Sequence, residues 1–68
     1  MVTLDRLNKV IGRLMTTLRR AKGFKRDCYS QALAWLNRAR VALRKGYEAT
    51  LTFNLQTADY YMRLAAVA

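Results

Sequence analysis

Apolar residues in the middle of the chain, over residues 27–45, recur with the period of a helix. With Tyr29 placed at heptad position a, they occupy positions g, d, a and e, which are contiguous on a helical wheel. This apolar arc covers about half of the circumference, which is wider than the stripe of an ordinary surface helix. Small residues, Ala32 and Ala39, take the d positions and would let a neighbouring helix approach closely. The pattern predicts a central helix with a neighbour on each side.

The segment before it, residues 4–22, has a narrower apolar stripe. Leucine, isoleucine and alanine hold the a and d positions over successive heptads, and Thr3 is a suitable N-cap. Arginine recurs at one outward heptad position, as Arg6, Arg13 and Arg20. We therefore predict an amphipathic first helix with a leucine seam on one side and an arginine ridge on the other.

Glycines mark the predicted boundaries between helices. Gly23 and Gly46 each follow a basic run, as expected for helix C-termini that end in the left-handed conformation. Residues 23–26 then form a short connection in which Phe24 folds back onto the first seam. Asp27 is the expected N-cap of the central helix.

The third segment, residues 48–66, gives two conflicting signals. Residues 50–55 (TLTFNL) alternate with period two and contain threonines, which favours a strand. No second strand is available, however, and an isolated strand would leave its backbone groups unpaired. The helical alternative aligns one set of apolar residues, namely Leu51, Leu55, Ala58, Met62 and Ala65. A third helix is therefore predicted.

This third helix has a second apolar side. Phe53, Tyr60 and Val67 recur every seven residues opposite the first set, with Leu64 beside them. A helix that is apolar all round is either buried on both sides or presents an interaction surface. We predict that these four residues form an interface with a second copy of the chain, giving a homodimer, or with a hydrophobic partner. The alternative is that a short end helix simply exposes two aromatic side chains.

The predicted fold is all-α: one small domain, residues 1–68, of three antiparallel helices or of a long two-helix hairpin with a third helix appended. A chain of this size has a marginal core, so either oligomerisation or very good helix packing is expected to stabilise it. One cysteine and no histidine exclude an internal disulfide and a Cys/His zinc site. Cys28 is expected to be a small buried hydrophobe. We expect no cofactor or metal, and a reducing, cytoplasmic location.

Catalysis is not expected. The chain has four carboxylates and no histidine, so it lacks clustered titratable groups for acid–base chemistry. Asp5, Asp27 and Glu48 lie near predicted helix starts, and Asp59 precedes Arg63 by four residues, which suits an ion pair. There is no glycine-rich phosphate loop, so no small-molecule substrate is expected.

Positive charge is concentrated in the first two-thirds of the chain, and the net charge of the whole chain is +9. Residues 1–45 hold twelve Lys or Arg against two Asp, whereas residues 46–68 hold one Arg against two acids. Such a surface suits nucleic acid, because phosphate neutralisation and counterion release supply most of the affinity. The predicted contacts are Arg6, Arg13, Arg19, Arg20, Lys22, Lys25, Arg26 and Arg38. Little base preference is expected, since the aromatics Tyr47, Phe53, Tyr60 and Tyr61 lie in the neutral third.

The leading hypothesis is a non-enzymatic DNA-binding or other nucleic-acid-binding protein with a regulatory or accessory role. The alternative is a protein–protein interaction module, such as an adaptor or inhibitor encoded by a phage or plasmid. In that case Trp35 and the aromatic side of the third helix bind an acidic partner protein, and the basic surface steers that protein toward them. A third possibility, a basic amphipathic first helix lying on an anionic bilayer, would use the same seam as the helix packing. Membrane insertion is not expected, because no stretch approaches about 18 uninterrupted apolar residues.

One family resemblance concerns the second predicted boundary. Leu33 and Leu36, followed by the run Gly46-Tyr47-Glu48-Ala49 and then Phe53, resemble a tetratricopeptide helical hairpin. The resemblance covers about a third of the chain and departs from the family at Asn37, where a small residue is usual, and no internal repeat has the family's period. It implies a helical hairpin and, if it extends to function, a peptide-binding groove.

Overall fold

The computed structural model describes residues 2–68 as three α-helices, with no strand in that range. Helix α1 is Leu4–Arg20, α2 is Gly23–Lys45 and α3 is Glu48–Val67. Both α1 and α3 pack against α2, which is therefore the central helix. The all-α prediction is confirmed, and residues 50–55 are helical.

Helix α1 follows its sequence pattern closely. The hydroxyl of Thr3 accepts a hydrogen bond from the backbone N–H of Arg6 at 3.2 Å, so the predicted N-cap is correct. The seam residues Leu7, Ile11 and Leu14 are 3–6% exposed. Large apolar side chains at helical spacing thus form the α1 side of the core.

The junction between α1 and α2 differs from the prediction. Helix α1 ends at Arg20, and only Ala21 and Lys22, both in extended conformation, separate it from α2. Gly23 has a φ of 64°, but it is the first residue of α2 and does not cap α1. The left-handed conformation of Gly23 links the extended connection to the first turn of α2. Helix α2 therefore begins earlier in the sequence than predicted.

Two further expectations at this junction are wrong for the same reason. Asp27 is not the N-cap of α2, because the helix begins four residues before it. Residues 24–26 are ordinary helix formers, so nothing delays helix formation until Asp27. Phe24 does not fold back onto the α1 seam; it is 59% exposed on the first turn of α2.

The junction between α2 and α3 follows the prediction. Gly46 adopts the left-handed conformation, with φ 76° and ψ 23°. The N–H of Tyr47 donates to the carbonyl of Ala42 at 2.9 Å, and that of Gly46 donates to Leu43 at 3.3 Å. This pair of bonds is the Schellman arrangement, which ends a helix by satisfying its last carbonyl groups.

Small residues fill the contact between α2 and α3. On α2, Ala32 and Ala39 have no exposed surface, and on α3 the same is true of Ala58 and Ala65. Alanine has no atoms beyond Cβ, so the two helices can approach closely. Leu36 of α2, 2% exposed, is the large residue that joins this contact to the α1 seam.

The arrangement is elongated, with extents of 35 × 19 × 16 Å, and the 23 residues of α2 span nearly the whole length at about 1.5 Å per residue. An open apolar groove of about 420 Å³ runs between α1 and α3. Leu36 is the α2 residue that lines this groove. Within residues 2–68, no helix has the combination of length and apolar content that crossing a bilayer requires.

Candidate nucleic-acid interface

Five of the predicted contact residues come together where α1 meets α2. Arg19 and Arg20 lie in the last turn of α1, Lys22 is in the connection, and Lys25 and Arg26 lie in the first turn of α2. All five are exposed. We call this group the basic turn. Because α2 begins at Gly23, the group spans two helix ends joined by a two-residue connection, which holds the five charges in a small volume.

No carboxylate neutralises the basic turn in the part of the chain that the structure describes. The ion pairs found over residues 2–68 are Lys9–Asp5, at 3.4 Å, and Arg63–Asp59, at 2.8 Å. Each joins residues four apart on one helix, and the second was predicted. Asp27 is exposed and pairs with no basic-turn residue. The positive charge of the turn therefore faces solvent.

Backbone groups add to this positive field. The N-cap of α2 is Lys22, which makes no side-chain capping bond, and the first turn of α2 contains no acid. The first N–H groups of a helix have no partner within it, and they carry the positive end of the helix dipole. Next to this end, a shallow pocket of about 260 Å³ is lined by Arg20 of α1 and by Lys25 and Tyr29 of α2.

The other three predicted contacts lie outside the basic turn. Arg6 and Arg13 are exposed on α1, and Arg6 lines the groove between α1 and α3. Arg38 lies fifteen residues after Gly23, or about 22 Å along α2. The structure therefore groups five of the eight contacts and leaves Arg38 at a separate surface.

Arg40 has a structural role that the sequence pattern did not reveal. Its guanidinium donates to the side-chain oxygen of Asn8 at 3.2 Å and to that of Asn37 at 2.9 Å. The residue is half-buried and links α1 to α2 through polar contacts. The charged group of Arg40 thus bonds to side chains of α1 and α2, whereas the charged groups of the basic turn face solvent.

The predicted interface residues of α3 are largely accessible. Phe53 is 59% exposed, Tyr60 is 60% exposed and Val67 is 83% exposed, whereas Leu64 is half-buried. Phe53 meets the ring of Trp35 edge-on, with ring centroids 5.8 Å apart. One edge of this apolar surface is therefore fixed against α2, and the remainder faces solvent.

Aromatic and basic residues are closer together than the sequence indicates. The guanidinium carbon of Arg38 lies 4.5 Å from the centroid of the Trp35 ring. Arg38 also lines an open depression of about 330 Å³ together with Lys45, Tyr47 and Asn54. Tyr47, which follows the basic segments along the chain, lies beside Arg38 and Lys45 in space, because the Gly46 turn places the start of α3 next to the end of α2.

Comparisons of this chain with protein-family models, with curated proteins and with solved structures found no match. The tetratricopeptide resemblance therefore rests only on the residues that carry it in the sequence. Two helices joined through a turn at Gly46, which the resemblance implies, are present as α2 and α3.

Proposed function

We propose that this chain is a non-enzymatic accessory or regulatory protein that binds nucleic acid through phosphate contacts. The observation that carries the proposal is the basic turn, in which five exposed cations, from two helix ends and the connection between them, lie within eight residues and form no ion pair. Most of the affinity of such a surface for nucleic acid comes from counterions released when phosphates are neutralised.

The contacts supported by this surface are electrostatic. Arginine and lysine contacts to phosphate position a protein on nucleic acid without reading its sequence. Arg6 and Arg13, exposed on α1, extend the cationic surface beyond the turn. We therefore propose a protein that prefers polyanions of high charge density and has little base specificity at the basic turn.

The proposal includes a homodimer formed through the exposed side of α3, at Phe53, Tyr60, Leu64 and Val67. Its support is the run of large apolar side chains on that surface, which a solitary small domain has no reason to leave in water. An antiparallel course of the helices is also proposed, supported by the hydrogen bond from Arg40 to Asn8. A cytoplasmic location fits the free, buried thiol of Cys28.

The same exposed side of α3 supports a second candidate function. A protein-interaction module would use Phe53 and Tyr60 as anchors, since aromatic residues dominate the energetics of many interfaces. In that case the basic turn would steer an acidic protein toward the surface and would change mainly the association rate.

The test is a titration of the protein against labelled duplex and single-stranded DNA over a series of salt concentrations. We compare two triple variants that each remove three positive charges: Arg20, Lys25 and Arg26 to Ser at the basic turn, and Lys9, Arg44 and Arg63 to Ser elsewhere. We expect the basic-turn variant to bind more weakly. Its log–log salt slope should fall by about 0.9 for each duplex phosphate that the protein no longer neutralises.

The control triple should retain most of the affinity and nearly the same slope. Equal weakening in the two triples would show that net charge alone drives binding, and would remove the basic turn as a site. Wild-type binding no tighter than that of a scrambled peptide of equal charge would reject nucleic acid as the partner. It would favour the second candidate function.

A further inference from the structure

The depression between the C-terminal end of α2 and the start of α3 contains a polar side chain without a visible role. Asn54 is only 5% exposed and lines this depression. Its side-chain amide takes part in none of the side-chain hydrogen bonds found over residues 2–68. Every side-chain nitrogen or oxygen in that range that is fully enclosed has a hydrogen-bond partner. Because the amide of Asn54 has none, its polar atoms are not fully enclosed, and they reach the open depression. The donor and the acceptor of Asn54 are therefore available to a molecule that enters it.

The residues around Asn54 define what could enter. Arg38 and Lys45 line one side of the depression, and none of the residues that line it is acidic. Arg38 is held over the ring of Trp35, at 4.5 Å from its centroid, which fixes the guanidinium near the rim. Two cations without a counter-charge favour an anionic ligand.

An aromatic ring completes the surface. Tyr47 lines the depression and is 58% exposed. It is the N-cap residue of α3, but its side chain makes no capping bond, so neither its ring nor its hydroxyl is needed to start the helix. An accessible ring beside two cations is the combination with which proteins bind unpaired bases, since the base stacks on the ring while the cations meet the backbone phosphates.

We propose that this depression is a nucleobase site for single-stranded nucleic acid. A base stacks on Tyr47, the amide of Asn54 hydrogen-bonds to the edge of that base, and Arg38 and Lys45 contact the neighbouring phosphates. The inference rests on the proposed function, and it extends that function by naming the preferred substrate class. A duplex contacts the basic turn and the arginines of α1 but leaves the depression empty, because its bases are paired and stacked and cannot enter it.

The amide favours a base over an acidic side chain as the occupant. A carboxylate is an acceptor only, so it would satisfy the N–H₂ group of Asn54 and leave the carbonyl oxygen unpaired. Base edges carry both donors and acceptors and can satisfy the two halves of the amide together. The depression thus fits a nucleotide better than a glutamate-rich peptide.

The experiment compares Tyr47→Ser with Tyr47→Phe, which keeps the ring and removes only the hydroxyl. The probes are oligo-dT and oligo-U of about 15 nucleotides, near the upper end of single-domain site sizes, and a DNA duplex of equal length. We expect Tyr47→Ser to bind both single strands about 5- to 150-fold more weakly, which corresponds to about 1–3 kcal/mol. Tyr47→Phe should bind like wild type, and neither variant should change duplex affinity.

A second variant tests the amide itself. Asn54→Asp keeps the shape of the side chain but replaces its donor group with negative charge. We expect it to weaken single-strand binding selectively, with a far-UV circular dichroism spectrum like that of wild type. Adding oligo-dU, which has the base of oligo-U and the sugar of oligo-dT, would show whether DNA or RNA is the better ligand.

The outcomes separate this inference from the proposed function. Salt-sensitive duplex binding by wild type, together with equal single-strand affinity in Tyr47→Ser, would reject the base site and leave the phosphate-binding function intact. Failure of wild type to bind any of the probes better than a scrambled peptide of equal charge would reject both. Loss of binding to a glutamate-rich helical peptide in Tyr47→Ser, with oligonucleotide binding unchanged, would make the depression a protein-docking site.

Discussion

Helices α1 and α3 both pack on α2, but they bury different kinds of residue. Helix α1 buries the large side chains of Leu7, Ile11 and Leu14, and the residues that it exposes are mainly charged and polar. Helix α3 buries Ala58 and Ala65 without any exposed surface, whereas Phe53, Tyr60 and Val67 are at least 59% exposed. Helix α1, which is the more highly charged of the two, therefore buries the larger apolar side chains.

The difference follows from how closely each helix approaches α2. Bulky seam residues fill the space between α1 and α2, so the apolar side chains of α1 are used in the core. Alanines on both sides bring α3 close to α2, with Leu51, Leu55 and Met62 partly buried around that contact. The exposed residues Phe53, Tyr60 and Val67 lie on the opposite side of α3. The two helices thus offer different surfaces, electrostatic on α1 and apolar on α3.

The strongest test of this comparison concerns the α1 seam. Leu14 is 5% exposed and its neighbour Met15 is 46% exposed. We expect Leu14→Ala to lower the free energy of unfolding by about 2–5 kcal/mol, because it removes buried methyl groups and leaves a cavity. Urea denaturation followed by circular dichroism measures this change.

Met15→Ala is the matched control, and it should change stability by no more than about 0.5 kcal/mol. A domain of this size has a total stability of about 3–10 kcal/mol, so Leu14→Ala would remove a large fraction of it. Similar effects from both variants would mean that α1 is not seated on α2 through this seam.

The close approach of α3 to α2 is tested by enlarging a buried side chain, and the expected change in stability is smaller than for Leu14→Ala. Ala58 has no exposed surface, whereas Ala66 is exposed. Ala58→Leu should destabilise the protein by about 1–3 kcal/mol, because the added atoms would force α3 away from α2. Ala66→Leu should be nearly neutral in the same urea experiment. A neutral Ala58→Leu would show that the α2–α3 contact has free space and is not set by alanine packing.

The smallest effect on stability is expected at the exposed side of α3. Replacing Phe53 and Tyr60 with Ser removes two side chains that are about three-fifths exposed, each of which meets a neighbouring aromatic ring edge-on. Each change should therefore lower the unfolding free energy of a single chain by only about 0.5–1.5 kcal/mol. The proposed homodimer should nevertheless dissociate, and light scattering should report the mass of one 7.9 kDa chain.

The control for that variant replaces Phe24 and Tyr47 with Ser. These residues have the same types and nearly the same exposures, 59% and 58%, but they lie outside the proposed interface. The control should keep the dimer mass. A wild-type protein that already scatters as one chain would refute the dimer, and dissociation of the control as well would place the interface elsewhere.

The parts of the fold that could be predicted from sequence are those set by local periodicity. The seam of α1 and the Gly46 turn follow from residues within a few positions of one another. The predicted start of α2 is too late, because Gly23 follows a basic run in the sequence just as Gly46 does. Both glycines also have a positive φ. One glycine ends a helix and the other begins one, and the basic run before each glycine does not distinguish these two roles.

The candidate sites divide in the same way. The basic turn is visible in the sequence because its five cations lie within eight residues. The depression around Asn54 is not visible there, because it needs residues from the end of α2 and the start of α3 together. Asn54 lies within the predicted third helix and nothing in the sequence distinguishes it, so only its burial beside two cations singles it out.

The two-residue connections also have a consequence for how the chain folds. Each helix packs against its neighbour in sequence across only two intervening residues, so the native contacts form between segments that are close along the chain. Topologies dominated by such local contacts fold in about microseconds to milliseconds. The chain contains no proline, so its refolding has no slow prolyl isomerisation phase of about 10–100 s.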